Sequence, residues 1–187
     1  LVVLVGKRAP KFKTQGVVKG SEIKEISLSD YIDNIVVLFF YPLDFTTVCP
    51  TEILAFQNSL EEFKKRGVVL IGCSVDSIYS HLAWLNTPLN SGGIKGVTLT
   101  LISDINKEIS KAYDVLSEDG LAYRGLFLID KGGIIRHQVV NDFAIGRSVH
   151  EVIRMVDCLI FHEENHEACP ANWMPGEKGI PKWKKGE

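Results

Sequence analysis

Apolar residues fall in short runs along this chain, divided by turn formers, and the runs alternate between two periods. Ile35-Val36-Val37-Leu38-Phe39-Phe40 is an unbroken run of strand formers, which predicts a buried strand. From Thr51 to Arg66, Ile53, Phe56, Leu60 and Phe63 recur at helical spacing, and Gly67 marks the predicted end. Val68 to Val75 is a second apolar strand, so the three elements make a βαβ unit with parallel pairing and a right-handed crossover. Upstream, 16–20 and 22–26 alternate around a Gly turn and predict a hairpin, and 29–32 predicts a short helical turn. Downstream, Ser77 or Ser80 caps a predicted helix through Leu85, 90–96 is loop, Thr98–Ile102 is a strand and Asp104–Tyr113 a short helix. Tyr123–Asp130 and Ile134–Val140 flank Lys131-Gly132-Gly133 as a second hairpin. A final helix starts at Ser148, with Val149, Val152, Ile153, Val156 and Ile160 on one face.

This order predicts an α/β thioredoxin-like fold, a mixed central β-sheet with helices on both faces. Beyond Phe161 the pattern dissolves into charged and then Pro/Gly-rich sequence. The expected organisation is a domain over 1–161 and a C-terminal arm over 162–187, lying over something such as another subunit.

Composition narrows the function. The chain has 187 residues, 45% apolar and 24% charged, enough for a substantial core in a globular balance. A net charge of −2 leaves no footprint for nucleic acid. No apolar run approaches the roughly 20 residues that cross a bilayer. Neither nucleic acid nor membrane is an expected partner. Cys49, Cys73, Cys158 and Cys169 form no dense framework, which points to an intracellular protein with selective thiol chemistry. The chain begins on Leu1 rather than Met, which leaves room for an upstream targeting segment.

The candidate chemistry sits in Tyr41 to Glu52, a loop that delivers Cys49 to the start of a helix. Free N–H groups and the positive end of the helix dipole favour an anion there, so a thiolate nucleophile is one expectation. A buried, inert thiol at a strand–helix junction is the other, and position alone does not separate them. Thr46 lies one turn earlier, within reach of the sulfur or of what it attacks, and Pro42 removes a donor where the strand must turn. Arg124 opens a strand and could hold a thiolate, or simply an ion pair. Cys169, in Glu167-Ala168-Cys169-Pro170-Ala171-Asn172-Trp173, reads as an accessible thiol suited to exchange, or as a stray one. Cys73 and Cys158 read as core or filler. Cys158, His162, His166 and Cys169 are spaced as four zinc ligands could be, although solvated histidines are the commoner outcome. His81 and Trp84 read as helix packing; Asp44 and Glu52 could form a carboxylate pair, but nothing nearby supports hydrolysis.

Pro42, Thr46 and Cys49 reproduce the Pro-x-x-x-Thr-x-x-Cys signature of the peroxiredoxins, inside Tyr-Pro-Leu-Asp-Phe-Thr-x-Val-Cys-Pro-Thr-Glu. The resemblance runs from Val5 to Trp173, and the Cys169 segment is similar to that of the resolving cysteine in the typical two-cysteine members, with Ala168 for the usual Val. It implies a thiol peroxidase for hydrogen peroxide and alkyl hydroperoxides, serving antioxidant defence. Cys49 would attack and become a sulfenic acid, with Thr46 and Arg124 polarising the peroxide and Arg147 supporting Arg124 through Glu52. Cys169 of the partner subunit would then close an intersubunit disulfide, which implies a homodimer and, in many members, a decamer of five dimers. Thioredoxin is the implied reductant, with no cofactor and no metal, in the cytoplasm or the mitochondrion. Three departures stand out: Thr47 replaces a common aromatic, Gly92-Gly93-Ile94-Lys95 replaces Gly-Gly-Leu-Gly, and no Tyr-Phe terminal helix follows before Glu187. Moderate resistance of Cys49 to over-oxidation is the expectation they carry. A chaperone on the same fold and a zinc-binding module are rivals that leave the Pro42–Thr46–Cys49 spacing unexplained.

Overall fold

Phe39 and Phe40, neighbours in the chain, point to opposite faces of one sheet and anchor its two cores. A strand alternates its side chains, so Ile35, Val37 and Phe39 share one face while Val36, Leu38 and Phe40 share the other. Phe39 stacks on Phe56 with ring centroids 4.4 Å apart. Phe40 meets Tyr113 and Phe127 at 5.4 and 5.9 Å. In this computed structural model, which describes residues 2–181, they close β3 (Ile35–Phe40), every residue of which is buried.

The other strands are β1 (Lys13–Val18), β2 (Glu22–Ser27), β4 (Val68–Ser74), β5 (Thr100–Ser103), β6 (Arg124–Ile129) and β7 (Ile135–Asn141). They form one seven-stranded sheet in the order β2-β1-β5-β4-β3-β6-β7. β3, β4 and β5 run parallel, from Ile35↔Val68 to Phe40↔Cys73 in the first pair. β6 pairs antiparallel with β3, β7 with β6, β1 with β5, and β2 with β1. The sheet is therefore mixed, in a thioredoxin-like α/β fold. Phe56 of α1 (Cys49–Asn58) and Phe63 of α2 (Leu60–Lys65) cover the Phe39 face. Ile109 of α4 (Glu108–Ala112), followed by Tyr113, closes the other core. α3 (Ile78–Asn86) starts on Ser77, whose hydroxyl accepts from the Ser80 N–H.

Two predicted helices come out differently. The helix expected over 51–66 begins at Cys49 and breaks at Ser59, whose φ of −98° and ψ of 5° divide α1 from α2. A straight helix rises about 10.5 Å in seven residues; the bend lets Phe56 and Phe63 close to 6.1 Å. The helix expected from Asp104 starts at Glu108, because Lys107 is left-handed, with φ of 61°. Asp104 still serves it from a distance, accepting the N–H groups of Ile109 and Ser110 at 2.9 and 2.7 Å.

The chain divides into two compact units between Arg147 and Ser148, upstream of the 161/162 boundary expected from composition. The second unit opens with α5 (Val149–Asn165), whose Ser148 hydroxyl accepts from the Glu151 N–H. Leu159, rather than the predicted Ile153 and Ile160, joins Val149, Val152 and Val156 as the buried residues of α5. His166 caps the helix in a left-handed conformation, with φ of 57°. Trp173 in the arm is buried, its ring 4.6 Å from that of Phe161. The last six residues of the predicted arm, 182–187, lie outside the described residues.

Candidate active site

β3 ends where Pro42 has no N–H to extend its ladder; the Tyr41 N–H, donated to Cys73 O at 3.0 Å, comes immediately before it. The chain then turns through Phe45, a left-handed residue with φ of 55°, a conformation that costs a non-glycine residue energy. Asp44 holds this turn in place. Its carboxylate accepts from Tyr41 Oη and Ser80 Oγ, each at 2.9 Å, and lies 2.8 Å from His81 Nδ1. Its N–H donates to Asp76 Oδ2 at 2.9 Å. Burial, and then the charge of Asp44, push the Tyr41 hydroxyl well above its ordinary value.

The strained turn delivers Cys49 as the first residue of α1, with Pro50 next, where a missing N–H removes no helical bond. Its sulfur is buried. Arg124, at the start of β6, donates Nε to Phe143 O at 2.8 Å and Nη1 to Glu52 Oε2 at 2.7 Å. The same Nη1 lies 3.5 Å from Cys49 Sγ. Arg147 grips the other side of Glu52: its N–H and Nε donate to Oε1, and Nη2 to Oε2, all at 2.8 Å. Its Nη1 donates to Gly125 O at 2.6 Å, and its guanidinium carbon sits 5.4 Å from the Phe39 ring centre.

Charge counting shows what this cluster favours. The side chains of Arg124, Arg147 and Glu52 are 2–3% exposed. Two guanidinium cations against one carboxylate leave a net charge of +1, and a Cys49 thiolate brings it to zero. That net positive charge lies against the Cys49 sulfur, through Arg124 Nη1. Burial pushes the Glu52 carboxyl up, but hydrogen bonds and charge from Arg147, then the charge of Arg124, prevail and hold it below the usual range. Cys73 is buried in β4, and burial pushes its thiol well up.

Comparison with known proteins gives the family. A family model described as the AhpC/TSA family matches residues 5–138, and one described as the C-terminal domain of 1-Cys peroxiredoxin matches 159–187. The chain belongs to the peroxiredoxins. It is 49% identical over 179 residues to a thioredoxin peroxidase of Echinococcus granulosus, covering 95% of this chain and 92% of that one. The reduced 2-Cys peroxiredoxin of Plasmodium vivax superposes with a TM-score of 0.93 at 49% identity, over 95% of this chain and 93% of that one. For the mitochondrial 2-Cys peroxiredoxin of Plasmodium falciparum the TM-score is 0.85 at 51% identity, over 89% and 100%. The protein is a thiol-dependent peroxidase of the two-cysteine type.

Within this peroxiredoxin, the remaining candidates are placed as follows. Thr46 is exposed and donates its hydroxyl to Leu43 O at 3.0 Å. Cys169 is half-buried rather than freely accessible, its thiol 3.5 Å from the carbonyl oxygen of Cys158. The helical spacing of Cys158, His162 and His166 stops at Asn165, and His162 Nδ1 lies 2.7 Å from Glu167 O. Among the described residues no group of three His, Cys, Asp or Glu side chains is arranged as metal ligands. Asp44 and Glu52 are not a pair; each belongs to its own network. The Asp44–Tyr41–His81 network was the part that sequence reasoning missed. Its one visible signal was a histidine in the apolar stretch of α3.

Proposed function

We propose that Cys49 is the attacking thiolate of the peroxidase, with Arg124, Thr46 and Pro42 as its site and Cys169 of the partner subunit as the resolving thiol. The observation that carries this reading is the single Arg124 nitrogen shared between Glu52 Oε2 and Cys49 Sγ. The guanidinium favours the thiolate and stays beside the O–O bond as that bond breaks. The Thr46 oxygen, its own proton given to Leu43 O, is left as an acceptor for a peroxide O–H. Pro42 ends β3 so that the loop can turn back.

The thiolate attacks one peroxide oxygen, an S–O bond forms as the O–O bond breaks, and the departing oxygen leaves as water or alcohol once protonated. Cys49 is then a sulfenic acid. A buried sulfur is out of reach of a second cysteine, so the first turn of α1 unwinds. Cys169 of the partner subunit attacks the sulfenic sulfur, closing a disulfide and releasing water. A dithiol such as thioredoxin, named in the relative from Echinococcus, reduces it. A homodimer, assembled as a decamer, is the matching assembly. The compartment we assign is the cytoplasm or the mitochondrion, the latter by analogy with the Plasmodium falciparum relative.

The test is non-reducing electrophoresis of protein quenched early after one equivalent of peroxide. A dimer-sized band is expected in the native protein and absent from Cys49→Ser and Cys169→Ser. A band that survives Cys169→Ser would overturn the resolving assignment; peroxidase activity that survives Cys49→Ser would overturn the nucleophile.

A further inference from the structure

Cys158 has no part in that reaction, yet it lies against the resolving thiol of its own chain. The Cys169 thiol donates toward Cys158 O at 3.5 Å, which brings the two side chains close enough for Cys169 to act on the Cys158 thiol. Contacts elsewhere hold the arm in this position. Phe161 and Trp173 are in ring contact, Arg154 Nη1 donates to Trp173 O at 3.1 Å, and Ala168 and Ile180 exchange N–H···O bonds of 2.8 Å. The same Arg154 nitrogen reaches Cys158 Sγ at 3.7 Å. Two half-buried thiols and a guanidinium are thus assembled inside one compact unit.

The pair is quiet while reduced. Burial, and then the charge and hydrogen bond of Cys169, push the Cys158 thiol up to about 11. A Cys169 sulfur in a disulfide can neither ionise nor hydrogen-bond the Cys158 thiol as a free cysteine does, so both of its contributions vanish. Arg154, which lowers the Cys158 value, remains. Cys158 therefore becomes a better nucleophile when its neighbour becomes an electrophile.

We propose that Cys158 takes the disulfide over from Cys49, so that the bond between subunits is exchanged for a Cys158–Cys169 bond within one chain. The proposal rests on the reading of Cys169 as the resolving thiol. The Cys158 thiolate attacks Cys169 Sγ, the Cys158–Cys169 bond forms, and the bond to Cys49 breaks with its electron pair left on the Cys49 sulfur. No further oxidant is consumed, because the peroxide already supplied both oxidising equivalents; the proton from Cys158 goes to solvent. Thiol exchange runs toward the better-stabilised thiolate, and the released Cys49 sulfur is the one with a place beside Arg124 at the start of α1 to return to. Its release lets the first turn of α1 close again around Glu52 and the two arginines. The reductant then meets an intrachain disulfide, and the subunits are no longer covalently joined.

The experiment follows full-length native protein and Cys158→Ser after one equivalent of peroxide, without reductant, by non-reducing electrophoresis over time. Disulfides are mapped in parallel. Trypsin leaves both cysteines on one peptide, 155–178, so a second digestion at Glu163, Glu164 and Glu167 is needed to show a cross-link. The expected result is a dimer band that forms early in both proteins and then falls in the native one, to roughly tenfold below Cys158→Ser. A Cys158–Cys169 cross-link should replace the Cys49–Cys169 one. Cys158→Ala should behave like Cys158→Ser. A dimer band equally persistent in all three proteins, with no Cys158–Cys169 cross-link, would overturn the exchange and leave the resolving role intact. A band that forms in none of them would overturn the resolving role itself.

Discussion

Arg124 Nη1 lies 2.7 Å from Glu52 Oε2, and the same nitrogen stands 3.5 Å from Cys49 Sγ. Because Arg147 already binds both oxygens of Glu52, the carboxylate does not neutralise Arg124 alone. The uncancelled positive charge faces the sulfur.

Arg124→Met removes that charge and keeps an apolar stem, while Arg147 still holds Glu52. The second-order rate constant for peroxide reduction should fall by about 10²–10³, as when one donor to a developing charge is lost. Stopped-flow kinetics measures it. Slower alkylation of Cys49 at neutral pH would tie the loss to the thiolate rather than to a disturbed fold.

Glu52→Gln tests the carboxylate through pH. The Glu52 carboxyl is held below its ordinary value of 4.5 in the folded protein. Folding therefore favours the ionised form, and the stabilisation is present above the unfolded value and lost as pH falls through the folded one. Urea titrations between neutral pH and pH values below 4.5 should show the native protein losing stability on acidification more steeply than Glu52→Gln. Parallel curves would show that Glu52 contributes nothing to acid sensitivity.

Trp173→Ala should free the arm. Emptying a buried Trp site costs about 3–5 kcal/mol, and Trp173 is 2% exposed against Phe161. Hydrogen exchange should accelerate at the Ala168 and Ile180 amides, which bond to each other's carbonyls, while the β3 amides stay protected.

Gly93→Ala should destabilise the loop after α3. A methyl group there would lie 1.9 Å from the carbonyl oxygen of Thr87, and backbone cannot yield as a flexible side chain does. The expected cost is at least about 1–3 kcal/mol, read as a lowered denaturation midpoint with an unchanged slope.

Much of this molecule was legible before folding was considered. The apolar run at 35–40, a serine cap at Ser77 or Ser80 (Ser77 in the structure), the helix start at Ser148 and the second hairpin depend on residues a few positions apart, and they appear within a residue or two. The first hairpin appears as well, although β1 opens three residues earlier than expected, at Lys13. His81 was not legible. It reads as packing on α3, but its ring nitrogens lie 2.8 Å from Asp44 Oδ2 and 3.1 Å from Ile102 O. Those partners come from a loop and a strand that parallel pairing brings to the same end of the sheet. Cys158 and Cys169 were grouped in the sequence only as candidate zinc ligands with His162 and His166. That the two thiols lie together without those histidines was hidden, since an arm of mixed Pro and Gly has no period from which its path can be read.

The sequence by itself determined the order of the elements, the mixed character of the sheet and the arrival of Cys49 at a helix start, because apolar periodicity, turn chemistry and capping act over a few residues. Tertiary structure decided the electrostatics. Arg124 lies 75 residues from Cys49, and Arg147 lies 95 from Glu52. Their effect on the sulfur exists only once the sheet has closed and water is gone, since the same charges in an open chain would be screened to almost nothing.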